Sequence, residues 1–232
     1  RRQADDLIKQ GKVCVDGQKA ELFHQINDQN QVELFWKDQW QNLSQKHKHQ
    51  TILFYKPIFC VTTRFDPQKR KTVYHHLPQT YHQLKPAGRL DYMSEGLMVL
   101  SSDGQLIQRL THPSYGGHKL YLVGLSDPLS SDQIQSMQAG LEQEGYRLNP
   151  VIVRQDQPKT LEYAYLKLEP KLEWYFFELT EGRNQQIRKM CAGFNKKVHR
   201  LIRLKQSEFE LTAELYKTKI IQIQTDDQTQ TL

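Results

Sequence analysis

The chain has 232 residues, with 32 Lys and Arg against 26 Asp and Glu, a formal charge of +6 at pH 7. That length holds one large domain with a small companion; the cationic excess favours an acidic partner such as nucleic acid, and neither an apolar run near the ~20 residues of a membrane span nor a signal-peptide pattern is visible. The three cysteines, Cys14, Cys60 and Cys191, form neither a zinc pattern nor a disulfide framework, so a reducing, cytoplasmic setting without a metal is expected.

In chain order, residues 2–10 have helical character, with Leu7 and Ile8 apolar, and Gly11 stops them. Residues 12–15 read as a strand turned by Asp16-Gly17, a hairpin signal, and residues 31–36 as a further strand. Residues 1–38 thus make a small module. Residues 39–50, rich in Gln, Lys and His without an apolar period, read as a linker. The large domain, 51–232, opens with a buried-strand candidate at 52–55 that Lys56-Pro57 ends. A second apolar strand at 97–100 leads through Ser102-Asp103-Gly104 into a helix at 106–110, ending near His112-Pro113. Residues 120–123 form another strand. Ser130 with Gln133 makes a capping box for a helix that Gly140 closes. Strands follow at 161–168 and 173–180. Asn184 then caps the clearest helix, whose Ile187, Met190, Cys191 and Phe194 fall at i, i+3, i+4 and i+7, with Asn195 as a left-handed stop. A last strand spans 198–204. Strands outnumber helices and several join by short turns, which predicts an α+β fold with a mostly antiparallel mixed sheet rather than a doubly wound parallel one.

Two segments stand out for chemistry. Gly88-Arg89-Leu90-Asp91 puts a carboxylate in a loop just before a buried strand. The segment from Glu181 through Arg183, Asn184 and Ile187 to Arg188 puts a fixed cation on the first turn of a helix. A lone carboxylate acting as nucleophile or acid/base needs such a partner to hold its charge state and aim. On the residues alone other readings stay open: Asp91 as a turn residue, Tyr121 as a packed strand tyrosine, Arg188 as a solvated helix residue with Arg183 as rival partner, Ile187 as core. Asp91 and Glu95 together also permit a glycoside-hydrolase pair, though sugar-stacking aromatics are not supplied. Neither a phosphate-binding loop, a dinucleotide fingerprint nor a zinc-ligand cluster is present, so no cofactor and no metal are expected. Residues 181–205 hold eight Lys and Arg against the single acid Glu181. Phosphate contact and a solvated face both remain open for Lys196 and Lys197, and Arg200 and Arg203 group with that surface.

Over residues 51–212 these motifs resemble the pseudouridine synthases of the RsuA/RluB group. That group carries its catalytic aspartate in Gly-Arg-Leu-Asp, running on into Thr/Ser-x-Gly-Leu and an apolar strand that ends in Asp-Gly; here Ser94, Gly96, Leu97 and Asp103-Gly104 are in register. Lys56-Pro57, Thr62-Thr63, Asp66-Pro67 and Arg70-Lys71-Thr72-Val73 also fall in the family's order. One departure is Phe59, where the family often has Gly two residues after the proline. Residues 1–17 resemble the second half of an S4 RNA-binding domain, which makes the 1–38 module a partial one. The resemblance implies a pseudouridine synthase catalytic domain that isomerises uridine in structured RNA, ribosomal RNA first and its large subunit by a small margin. It implies that Asp91 attacks the target nucleotide, at the uracil ring or at the sugar. Tyr121 would stack on the flipped-out uracil or move its C5 proton, and Arg188 would partner the aspartate. Arg89, Arg183, Asn184 and Ile187 would bind substrate, with Lys196 and Lys197 at phosphate. The enzyme is expected to be a monomer. The alternatives are a tRNA target and a non-catalytic S4-type RNA-binding protein.

Overall fold

The computed structural model describes residues 2–27, 29–43, 49–112, 115, 117–143, 145–155 and 161–223. It divides into two compact units, residues 1–48 and 49–232.

In the first unit, helix α1 (Arg2–Lys9) ends where Gly11 adopts a φ of +66°, the left-handed stop that glycine takes without penalty. Strand β1 (Val13–Val15) turns through Asp16 and Gly17, both at positive φ, into β2 (Gln18–Lys19). Two left-handed residues match the twist of a two-residue hairpin. Asp16 also accepts from the Gln31 backbone and the Asn30 amide, which fastens the turn to the next strand. Strand β3 (Val32–Trp36) pairs with β1, and β4 (Gln39–Asn42) returns along β3 through Lys37-Asp38, again both at positive φ. The linker reading of residues 39–50 is therefore corrected at 39–42. The strand is short and mostly exposed, so it has no apolar period, and a cross-strand Phe35–Trp40 ring pair at 5.4 Å supplies the contact instead. Residues 44–48 lie outside the described residues.

The second unit contains β5 (Thr51–Lys56), β6 (Lys85–Pro86), β7 (Glu95–Ser101), α2 (Gly104–Thr111), β8 (Lys119–Leu125), α3 (Ser131–Ala139), β9 (Glu142–Gln143), β10 (Tyr146–Arg147), β11 (Ile152–Arg154), β12 (Glu173–Leu179), α4 (Gln186–Gly193), β13 (Val198–Gln206), β14 (Phe209–Glu210), α5 (Ala213–Thr218) and β15 (Ile220–Ile223). Among the described residues nine strands form one sheet in the order β11-β12-β8-β13-β7-β5-β15, with β14 on β13 and β6 on β7. Only β13 and β7 run parallel among these pairs, so the sheet is mixed and mostly antiparallel, as expected. Its central strands are buried on both faces. One face, with Phe54, Met98, Tyr121 and Val123, packs against α3 and α4 through Met137, Ile187, Met190 and Cys191. The other, with Tyr55, Leu97, Leu122 and Trp174, packs against α2 and α5 through Leu106, Leu110 and Leu215. Two helical layers around a sheet follow from strands that leave neither face polar.

The capping box of Ser130 and Gln133 forms, and Gly140 closes α3 at a φ of +86°. Two other expectations are corrected. The strand expected at 161–168 is a 3-10 helix, Leu161–Leu166. Tyr163 and Leu166, three residues apart, share one face of that turn and reach the second core, while the Tyr165 hydroxyl donates to the Leu211 carbonyl at 2.5 Å. Helix α4 starts later than expected: Gln185, at a φ of +54°, precedes it in place of Asn184 and makes no side-chain cap bond. The Gln186 side-chain oxygen instead accepts from the Arg183 backbone. At the other end Asn195 takes a φ of +57° and donates to the Ala192 carbonyl, as the sequence suggests.

Candidate active site

The loop between β6 and β7 carries Asp91, and a lysine beneath it fixes its shape. Lys56, the last residue of β5, is fully buried, and its ammonium donates to the carbonyls of Pro57 at 3.0 Å, Asp91 at 3.0 Å and Ser94 at 2.7 Å. All three N–H groups are thereby satisfied, the condition under which a buried ammonium is tolerated. Burial lowers its pKa, against which the neighbouring Cys60, Asp91 and Glu95 act. From the other side the Thr62 hydroxyl donates to the Leu90 carbonyl at 2.8 Å. The loop is held by its main chain, and the hydrogen bonds of Asp91 among the described residues go to its backbone carbonyl, from Lys56 and from the Ser94 amide.

Gly96 brings a third element to the loop. Its φ is +108°, and a Cβ placed there would lie 2.4 Å from the Arg203 carbonyl oxygen and 2.7 Å from the Arg203 nitrogen. Only glycine lets β13 lie against β7 at this point, where Arg203 pairs with Gly96 on one side and with Tyr121 of β8 on the other. The result is a cleft of about 640 Å³ whose walls include Arg89, Asp91, Tyr121, Arg183, Asn184 and Ile187. Six of the nine residues singled out in the sequence therefore meet in one cavity, within the ~300–1,000 Å³ of small-ligand sites.

Arg188 lies behind that wall. Its Nη1 donates to the Val198 carbonyl at 2.9 Å and its Nη2 to the Met93 carbonyl at 2.8 Å, so it ties the Asp91 loop to β13. Burial pulls its pKa down, and the Asp91 charge works against that shift. Its Nε is buried and lacks a hydrogen-bond partner among the described residues. Arg188 is thus a half-buried cation beside Asp91, not a wet helix residue. Arg183, its rival, is more exposed and has its Nε on the Glu181 carboxylate at 3.1 Å. Arg188→Ala should therefore lower turnover and also cost about 2 kcal/mol of stability, the scale of hydrogen bonds from a charged donor. Arg188→Lys should keep the charge but bridge only one carbonyl. A thermal melt of Arg188→Ala unchanged from the parent would refute the tie between loop and strand.

Arg203 is the cation the sequence misplaces. Grouped there with a basic surface, it is 1% exposed and donates from Nε to the Leu97 carbonyl at 2.7 Å. The Tyr121 phenol lies against its guanidinium and opposes the fall in pKa that burial causes. Arg200 is likewise not free for phosphate: it donates to Glu95 at 2.6 Å and to Glu169 at 3.1 Å. Both corrections have one cause. Residues 200 and 203 sit in a central strand, where a basic side chain must find acceptors inside the fold. Lys196 is half-buried and Lys197 exposed, beyond the far end of α4, and neither lines the cleft. Lys119 does line it, with burial lowering its pKa; nothing but its place beside Tyr121 in the sequence could have marked it. Lys56 was legible as a charged residue closing an apolar strand.

Glu95 does not pair with Asp91. It accepts from the Tyr55 hydroxyl and from Arg200, shares the sheet face of Leu97 and Val99, and is absent from the walls of the cleft. A hydrolase pair needs two carboxylates on one cavity, so that alternative fails. Among the described residues no group of three or more His, Cys, Asp or Glu could hold a metal ion.

The RNA pseudouridylate synthase family model matches residues 50–193. The chain is 29% identical over 214 residues to ribosomal large subunit pseudouridine synthase B of Yersinia pestis, covering 91% of this chain and 64% of that one. With the namesake from Bacillus subtilis the identity is 29%, covering 90% and 80%. It is 31% with an uncharacterized RNA pseudouridine synthase of Rickettsia felis, covering 91% and 86%. A crystal structure of a pseudouridylate synthase matches with a TM-score of 0.64 at 25% identity, covering 96% of this chain and 89% of that one. The chain thus spans less than two thirds of the Yersinia relative. With the family model on more than half of its residues and the fold of a solved family member, the chain belongs to the RNA pseudouridylate synthases.

Proposed function

We propose that the chain isomerises uridine in RNA to pseudouridine, with ribosomal RNA, and its large subunit, as the target. The observation that supports this most is an Asp91 carboxylate facing a nucleotide-sized cleft while the main chain of its loop is pinned by Lys56. With the loop fixed through its main chain and the Arg188 guanidinium beside it, the carboxylate stays charged and in place, as a nucleophile needs. Asp91 attacks the target nucleotide, on the uracil ring or at C1′. The N1–C1′ bond breaks, the base turns, the C5–C1′ bond forms as the bond to Asp91 is released, and C5 loses a proton while N1 gains one. The reaction is an isomerisation, so no atom or electron is taken from a further reactant. A duplex or stacked loop must release the base first; Tyr121, which lines the cleft, stacks on it or takes the C5 proton. Arg188 supplies positive charge behind Asp91, and Arg89, Arg183, Asn184 and Ile187 shape the pocket. The 1–38 segment acts as a partial S4-like RNA-binding module, Lys196 and Lys197 contact phosphate, and the protein works as a monomer in the cytoplasm. The large-subunit target is favoured by the relatives named for it.

The test is to incubate the chain with 5-³H-uridine-labelled fragments of both ribosomal RNAs and with tRNA, follow tritium release, and map the modified position. Release from a large-subunit fragment is expected. RNA binding without release from any of the three would favour a non-catalytic binding protein, and release from tRNA alone would move the target.

A further inference from the structure

Phe59 stands where the backbone suits glycine. Its φ is +62°, a left-handed conformation that is an outlier for a bulky side chain. Its ring is nevertheless not buried to compensate: the residue is 53% exposed. Its amide donates to the Tyr92 carbonyl at 2.8 Å, and its ring meets the Tyr92 ring edge-on at 5.7 Å, one residue from Asp91. The Arg70 guanidinium also lies over the Tyr92 ring, 5.7 Å from its centroid. Met93 and Ile58, beside these rings in sequence, are also exposed. Residues 58–71 hold four cations, Arg64, Lys69, Arg70 and Lys71, against Asp66 alone, and all four are exposed. Asp66 is itself engaged by Arg70 at 2.8 Å.

We infer that Phe59 is a stacking platform for an unpaired nucleotide of the RNA next to the uridine that enters the Asp91 cleft. This rests on the reading of that cleft as the place where an RNA uridine enters. Strain held in the backbone beside an active site, with the ring left in water, indicates that the ring is used from outside. The cations around it select the occupant. A protein partner would want a large, uncharged apolar patch; a small pair of rings set among Lys and Arg matches a strand whose bases stack while its phosphates are neutralised. Phe59 is thus a binding residue with no part in the chemistry, and it adds sequence-tolerant affinity at a fixed distance from the target.

The test uses the whole chain and RNA carrying 2-aminopurine at each position flanking the modified uridine. The parent and Phe59→Tyr should quench one flanking probe, and Phe59→Gly should not. RNA affinity should fall roughly tenfold or more in Phe59→Gly, the scale of one base–aromatic stack, with KM raised and kcat little changed. The melting temperature of Phe59→Gly should be no lower than the parent's, because glycine takes this φ freely. Undiminished affinity and quenching in Phe59→Gly would overturn the inference, and so would an affinity loss accompanied by a drop in melting temperature. The quench does not depend on turnover. A parent chain that quenches RNA without releasing tritium would remove the catalytic reading and keep the platform.

Discussion

Asp91→Asn is expected to lower tritium release from uridine-labelled RNA by roughly 10³-fold or more, the scale of losing a nucleophile, while fold and RNA affinity stay near those of the parent. The amide is the same size as the carboxylate. What holds the loop is the Asp91 carbonyl, which receives Lys56 and the Ser94 amide, and this is unaffected by the change. The melting temperature should therefore move by no more than about 2 °C, as for substitutions that break no fixed contact. The amide loses the negative charge that, in the proposed reaction, attacks the nucleotide, and that opposes the fall in the Arg188 pKa. Normal release from the variant would remove Asp91 from the chemistry, whereas lost release together with unfolding would mean that the carboxylate had been structural.

Gly96→Ala should have the largest effect on stability. The added methyl would lie 2.4 Å from a backbone oxygen of β13, and the φ of +108° is one that side chains other than hydrogen rarely accept. Neither partner is the free end of a side chain, so the strand itself must shift. Overpacking against main chain in a core, together with a strained φ, costs upwards of about 4 kcal/mol. For a domain of this size that corresponds to a fall of roughly 10 °C or to failure to fold. The parallel register of Arg203 on Gly96 and of Ile202 on Glu95 should open, and Arg203 would leave Tyr121. Near-UV circular dichroism and a thermal melt read this directly. A variant that melts with the parent would show that β7 and β13 are not in contact at this point.

Much of this was legible in the sequence because local rules and the tertiary structure agree. The strands at 52–55, 97–100 and 120–123, the Ser130 capping box and the Asn195 stop all appear where pattern places them. Asp91, Tyr121 and the Arg183–Ile187 wall could be found because motif residues keep their spacing, and they line one cleft. What remained hidden depends on partners distant in sequence. Arg200 and Arg203 look like surface charge until Glu95, Glu169 and the Leu97 carbonyl are brought to them. The 161–166 turn looks like a strand because Leu161, Tyr163 and Tyr165 fall on alternate positions, and only the core behind it decides for a 3-10 helix. β4 escapes because its pairing rests on one aromatic contact and a left-handed turn at Lys37-Asp38.

Lys56 grips the Asp91 loop through carbonyl oxygens, and every residue has one of these. The position of Asp91 is therefore set without reference to which side chains its neighbours carry. Tyr92 and Met93 can therefore be exchanged while the carboxylate stays in place, so the rim of the cleft is free to change. On the proposed function, reaction and choice of substrate can in this way change separately, although they share one loop of a few residues.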